Sequence, residues 1–385
     1  MNEQELKRVL SVGWLYGHDT YDGFVLFRRD DQGHRVRWTC RYYQFHFLIT
    51  KSDFETHTKL IRGFIDHGLI TKAVVHEPWV ELYVDRIHGE TSPLKQVLKL
   101  LKHHSIPTYE ADLSNWERFA IDNNIQIATN HRVGYFDIET DDRNSVIEIG
   151  RNRIVSIAII DEENNHVFCD DDERVILKAG ICALNSYDLI VGYNSERFDI
   201  PYIKARCELL QLPFYSDAVV HLDLYKRLER TLFRYGHAAG FEAKSWKLDD
   251  VAQSILGRGK VEHGKRIWWL FENDRDLLKK YNLVDAELTR DLVQSLQITQ
   301  SMQRIAQITG RFITGTPYIG PNLDFYVLKF ANRSNVHYAT VQKNTTEDEG
   351  VIGGMVREVT PALYEHVYMY DVASMYPHII IYWNV

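Results

Sequence analysis

Four acids and a tyrosine, far apart in the chain, carry the chemistry that the sequence offers most plainly: Asp137, Glu139, Asp199, Tyr281 and Asp285. Asp137 and Glu139 flank Ile138 at the end of a strand-like run. Residues two apart in a strand point the same way, so both carboxylates can reach one metal ion. Tyr281 and Asp285 stand four apart in a long helical pattern, hence on one helix face. Asp199 lies near the start of another helical pattern. Hard oxygen ligands of this kind suit Mg²⁺ or Mn²⁺ rather than zinc. Two such ions, about 3.5–4 Å apart, clamp a phosphodiester, one activating water and one stabilising the leaving oxygen. Each piece also has a plain structural reading. A DxE pair serves as a surface or capping feature, YxxxD as an ordinary i, i+4 contact, and Asp199 as an acid favoured by a helix dipole.

The elements that must hold these residues follow from periodicity. Residues 134–138, 154–160 and 188–194 read as strands, the first two as buried ones. Helical patterns cover 199–210, 247–256 and a long stretch from about 274 to 308. Strands alternating with helices predict an α/β domain with a mixed sheet. Upstream, the chain is β-rich, as in residues 42–49, with one clear helix opened by Pro93. Leu94, Val97, Leu98 and Leu101 give that helix an apolar face. Lys95, Lys99 and Lys102 lie opposite, as a solvated face. After Gly310 the pattern breaks at Gly315, Pro317, Gly320 and Pro321, and a polar loop over 343–350 leads towards another domain.

Composition bounds the function. The chain has 385 residues, an ordinary globular balance of apolar and charged residues, and a formal net charge of −8. Nucleic-acid contact must then come from local basic patches rather than overall charge. No apolar run reaches the roughly 18 residues of a membrane span. Residues 1–5 carry no basic lead into an apolar run, so no signal peptide is read and a cytoplasmic location, at the nucleoid or replication site, is expected. Cys40, Cys169, Cys182 and Cys207 form no CxxC pair, and buried thiols in a reduced compartment are expected.

Taken together the motifs resemble family B DNA polymerases. Phe136-Asp137-Ile138-Glu139-Thr140 is similar to the first exonuclease motif of that family. Gly192-Tyr193-Asn194-Ser195-Glu196-Arg197-Phe198-Asp199-Ile200-Pro201-Tyr202 is similar to the second, and Tyr281-Asn282-Leu283-Val284-Asp285 to the third, in the same order. Residues 244–252 resemble the stretch between the second and third motifs. Tyr109-Glu110-Ala111-Asp112 with Ile121-Asp122 resembles the lead-in of archaeal-type members. The resemblance runs from about residue 20 to the end. It implies an RNase H-like 3′→5′ proofreading exonuclease with two Mg²⁺ or Mn²⁺ ions. In that reading Asp137 bridges both metals, Glu139 and Asp285 help hold one ion, Asp199 holds the other through water, and Tyr281 orients the attacking water. Asn194 and Phe198, in the second motif, are implied contacts to DNA. Asp223 is a nearby acid expected to be structural.

Asp371-Val372-Ala373-Ser374-Met375-Tyr376-Pro377-His378 resembles polymerase motif A, with Met375 and His378 where Leu and Ser usually stand. This implies a metal-binding palm carboxylate at Asp371 and an incoming-nucleotide (dNTP) contact at Ser374, Met375 and Tyr376. Gly353-Gly354 resembles a template-contacting linker, although Val351 stands where a tyrosine usually opens it. A fingers helix and a second palm aspartate are not in this sequence, so the chain by itself is expected not to polymerise. The apolar run Ile379-Ile380-Ile381-Tyr382-Trp383 near the end of the sequence calls for a cover, from a second polypeptide or from more of the same one. The expected organisation is an α+β chain: an N-terminal domain over 1–130, the exonuclease over 131–298, a returning segment over 299–338, and the start of a palm over 339–385. DNA, as a primer-template or a single-stranded 3′ end, is the expected partner. A stand-alone repair exonuclease and a non-catalytic DNA-binding scaffold subunit are the alternatives. Motif A argues against the first, and the full set of acids against the second.

Overall fold

Apolar side chains at alternating and continuous strand positions build most of the first third of the chain. The computed structural model describes residues 3–85, 92–144, 148–214, 219–235, 244–262, 264–313, 319–340, 363, 365–368 and 370–384. After α1 (Glu3–Leu10) and β1 (Gly13–Trp14) come β2 (Tyr16–Asp19), β3 (Gly23–Arg29) and β4 (Arg35–Arg41), one antiparallel three-stranded sheet. β5 (Gln44–Thr50) leads through α2 (Lys51–Thr56) and α3 (Thr58–Asp66) to β6 (Lys72–His76) and β7 (Trp79–Asp85), and β7 lies between β5 and β6. α4 (Pro93–His103), α5 (Asn115–Asn123) and the short β8 (Gln126–Ile127), which pairs with β1, complete this part. Phe24, Phe45, Phe47 and Phe119 sit fully buried at its centre.

Expectation and structure differ here in detail. Residues 42–49 do form a strand, but it starts at Gln44, because Tyr42 takes a left-handed turn conformation at φ 53°. α4 lies where Pro93 predicts it, with Lys95, Lys99 and Lys102 exposed. α1, α2, α3 and α5 were not foreseen. They run six to nine residues, too few turns for periodicity to stand out. In α5 a capping box between Ser114 and Glu117 opens the helix. Arg118, fully buried, pairs from there with Glu110 and Asp122.

The middle of the chain forms a mixed five-stranded sheet. β9 (Val133–Thr140) pairs antiparallel with β10 (Ile154–Ile160), which pairs antiparallel on its other side with β11 (Asn165–Phe168). Past α6 (Glu173–Leu184), β12 (Leu189–Gly192) joins the other side of β9 in parallel. After α7 (Asp199–Leu209), β13 (Val220–Asp223) extends the sheet in parallel again. The order β11-β10-β9-β12-β13 places β9 at the centre. α8 (Leu224–Tyr235), α9 (Leu248–Leu256), α10 (Ile267–Asn273), α11 (Arg275–Ser295) and α12 (Ile298–Thr309) follow. One sheet face packs Phe136, Ile138, Ile157 and Ile159 with Ile176, Ile181 and Tyr202 of α6 and α7. The other packs Tyr135, Ala158 and Ile160 with Ala286, Leu288 and Leu292 of α11.

The single long helix expected over 274–308 is two helices. Gln297 adopts a left-handed φ of 51° between α11 and α12 and ends the first. α13 (Ile319–Asn332) then leads back to the first part of the chain. Thr340 N–H donates to Thr108 O at 2.8 Å, and Ala339 bridges Tyr109. His337 Nδ1 lies 2.9 Å from Glu110.

The expectation of buried thiols holds only for Cys207. Cys182 is exposed and the other two are half-buried, all of them free. No helix of the described residues is long and apolar enough to cross a membrane. Residues 1–341 form one compact unit and 342–385 a second. In the second, α14 (Met375–Trp383) exposes Ile379, Ile380, Ile381, Tyr382 and Trp383.

Candidate active site

β9 builds the floor of the site. Tyr135, Asp137 and Glu139 alternate with Phe136 and Ile138, so the two carboxylates share the sheet face that α11 covers. α11 places Asp285, 2% exposed, against them. One oxygen from each of Asp137, Glu139 and Asp285 lies within 4.8 Å of the others. Asp199 begins α7, 4% exposed, and its Oδ1 accepts the Ile138 N–H at 3.3 Å, between the two β9 acids. The three acids on β9 and α11 thus meet in one cluster, and Asp199 closes on it through the backbone of the same strand.

The electrostatics follow from that crowding. Burial, then the charges of Asp285, Asp199 and Glu139, hold the Asp137 carboxyl well above the usual carboxylate range. Burial and then Asp285 do the same to Glu139. Burial pushes Asp199 up to about 7. Such a set loses its protons readily only when a cation offsets the repulsion. Three convergent hard oxygen donors with that need fit a small divalent ion. Asp137, Glu139 and Asp285 are the residues that would hold it.

Tyr281 stands one turn before Asp285 on α11, and burial pushes its hydroxyl up to about 12. Lys260 was not anticipated. It lies in the segment between α9 and α10, and its Nζ donates to Asp285 Oδ2 and reaches the Tyr281 hydroxyl at 3.4 Å. Burial alone would lower its pKa, but Asp285 and Asp137 outweigh that and raise it. A lysine in an irregular segment gives no periodic signal, so sequence reasoning had nothing to find it by.

Asn282 and Ser156 were also missed, although each left a trace. Ser156 is the lone hydroxyl in the apolar run of β10, and Asn282 sits inside the third motif. Asn282 Nδ2 donates to Asp137 Oδ2 at 2.8 Å, and Ser156 Oγ lies 2.7 Å from Asn282 Oδ1.

The loop between β12 and α7 carries Asn194 and Phe198. Asn194 has a left-handed φ of 59°, and Asp223 at the end of β13 accepts the N–H groups of Asn194 and Glu196 at 2.9 and 3.1 Å. Asp223 also accepts from Tyr225 N–H at 3.0 Å, which gives it the structural work expected of it. A Cβ on Gly192 would lie 2.6 Å from the Ser195 side chain, so the close return of this loop needs glycine there. Phe198 is half-buried, its ring 5.2 Å from that of Tyr202.

In the second unit Asp371 is exposed ahead of α14. Ser374 caps that helix at φ 53°, and Met375 and Tyr376 are 42% and 74% exposed. Gly353 and Gly354 lie outside the described residues.

Comparison with known proteins agrees with the geometry. The RNase_H superfamily matches residues 134–296, the span that carries the acidic cluster. DNA polymerase 1 of Sulfolobus acidocaldarius is 24% identical over 86% of this chain and 43% of its own length. The DNA polymerase of Pyrococcus glycovorans is 23% identical over 94% of this chain and 52% of its own. The family B DNA polymerase of the hyperthermophilic archaeon Pyrobaculum calidifontis superposes with a TM-score of 0.66 and 18% identity, covering 87% of this chain and 52% of that one. Over most of its length the chain is similar to these DNA polymerases. It spans about half the length of these relatives. The acidic cluster lies in the RNase H-like part of the chain, across the central strand and the long helix.

Proposed function

We propose that the chain is the proofreading part of a family B DNA polymerase, a 3′→5′ exonuclease that shortens single-stranded 3′ ends. The observation that carries this is the convergence of Asp137, Glu139 and Asp285 within 4.8 Å, from elements some 150 residues apart, with Asp199 on the same strand's backbone. Bound there, two Mg²⁺ or Mn²⁺ ions would supply charge neutralisation at the scissile phosphate and activation of the attacking water. Asp137, Glu139 and Asp285 hold the charge that fixes them, and Asp199 completes the set. The Tyr281 hydroxyl, kept protonated by burial, orients the attacking water. Asn194 and Phe198 sit on the loop that leads into Asp199 and steer the 3′-terminal nucleotides.

The domain assignment belongs to the same reading: residues 1–130 with 299–338 frame the exonuclease at 131–298, and 339–385 open the palm. Asp371 then serves as a polymerase metal ligand, with Ser374, Met375 and Tyr376 beside the incoming dNTP and Gly353-Gly354 near the template. DNA synthesis needs the fingers, the rest of the palm and the thumb, from a second polypeptide or a longer one, working at the replication site.

The test is hydrolysis of a 3′-labelled single strand with Mn²⁺. Release of mononucleotides from the 3′ end by the wild type, and none by Asp137→Ala, is the expected result. Equal activity of the two would remove the assignment. Where the missing part is supplied, Asp371→Ala is expected to end primer extension and leave the exonuclease intact.

A further inference from the structure

The carboxylate expected to serve both ions is held by a buried relay. Ser156 and Asn282 are both fully buried, on β10 and α11. Ser156 stands directly across the sheet from Glu139, which puts its side chain on the site's face. The Asn282 amide turns its N–H₂ to Asp137 Oδ2, as suits a carboxylate that only accepts hydrogen bonds once it is ionised to hold a cation. Its oxygen is then left for the Ser156 hydroxyl to donate to, at 2.7 Å. The order Ser156, Asn282, Asp137 Oδ2 runs in one direction and pins one oxygen of the carboxylate that belongs to the cluster.

We propose that Asn282, backed by Ser156, is a positioning residue that presets the Asp137 carboxylate for a divalent cation. This rests on the metal-dependent reading of the site above. The choice of an amide has a physical logic. A neutral donor orients Asp137 without adding a charge to a cluster that Lys260 already partly neutralises. Its helix position, three residues before Asp285, lets one element set both a cation's ligand and the orienter of another.

Mn²⁺ binding to the whole chain, measured by calorimetry without DNA, tests this. Asn282→Ala is expected to weaken Mn²⁺ binding about 10–100-fold, the usual cost of losing an outer partner of a ligand. Ser156→Ala is expected to weaken it less. The double variant should bind no more weakly than Asn282→Ala alone, because Ser156 acts through Asn282 and the effects do not add. If Asn282→Ala fails to fold, judged by its melting curve, Ser156→Ala and Asn282→Ser carry the test. Wild-type Mn²⁺ affinity in folded variants, or fully additive losses, would overturn the proposal. A wild type that binds Mn²⁺ with this pattern but hydrolyses no DNA would sink the exonuclease reading and leave the relay standing. An active enzyme whose Mn²⁺ affinity ignores Asn282 would do the reverse.

Discussion

The Lys260 ammonium donates to Asp285 Oδ2, so the acid cluster carries a cation of the chain's own. Lys260 comes from a segment with no regular structure and keeps 30% of its side chain exposed, whereas Asp285 keeps 2%. The lysine can therefore withdraw to solvent while the aspartate cannot. In the absence of metal, Lys260 offsets repulsion that Asp137, Glu139 and Asp285 would otherwise bear alone.

Lys260→Met is expected to destabilise the metal-free protein by about 1–3 kcal/mol. That is below the usual cost of breaking a buried pair, because the lysine is partly in water. Excess Mn²⁺ should restore most of that loss. Melting curves in EDTA and in Mn²⁺ check this. A variant that melts like wild type in EDTA would show that Lys260 carries no such load.

Asp137→Asn keeps the shape of the side chain and removes its charge. Losing a carboxylate that faces the whole cluster is expected to cost several kcal/mol of transition-state stabilisation, roughly a thousandfold in rate. Tyr281→Phe keeps the ring and loses only the hydroxyl, so a fall of about tenfold is expected. Single-turnover digestion of a 3′-labelled strand gives both numbers.

The raised carboxyls make the metal-free protein pH-sensitive. Asp137, Glu139 and Asp199 bind protons more tightly folded than unfolded, with Asp199 at about 7. Their contribution to stability is complete below the ordinary carboxylate pKa of about 4 and is lost as pH rises through the folded values. The melting temperature in EDTA should therefore fall, from this source, between about pH 5 and 7.5. The rise in melting temperature caused by Mn²⁺ should grow over the same range. A Mn²⁺ effect that shrinks with rising pH would contradict the carboxylate assignment.

The hairpin β3–β4 grips the five-stranded sheet through Asp188, fully buried just ahead of β12. Its Oδ2 accepts from Arg29 Nε at 2.7 Å and from Arg132 N–H at 2.9 Å, and Arg35 lies 3.5 Å from its other oxygen. Asp188→Ala leaves two arginines facing a buried gap. A loss of about 3–5 kcal/mol is expected from denaturant titration. Because β12 leads directly to the Asn194–Asp199 loop, exonuclease activity should fall as well.

Much of this site was legible before any coordinates. Strand alternation alone puts Asp137 and Glu139 on one face, and a four-residue helical step puts Tyr281 with Asp285. Both are local rules that a short window of sequence obeys. The apolar run at 154–160 became β10 with its predicted ends.

Tertiary structure decided what local rules cannot reach. That β9 lies at the centre of the sheet, with α11 across its polar face, is a matter of strand order and packing. The break at Gln297 depends on one residue's left-handed backbone, which a continuous helical pattern does not reveal. Lys260, Asn282 and Ser156 enter the site from an irregular segment, a helix and a strand, and only the packing of these brings them to the acids. Their roles come from distances of about 3 Å between residues up to 145 apart in the chain. Sequence periodicity reports which way a side chain points from its own element; only the packing of elements reports what it meets.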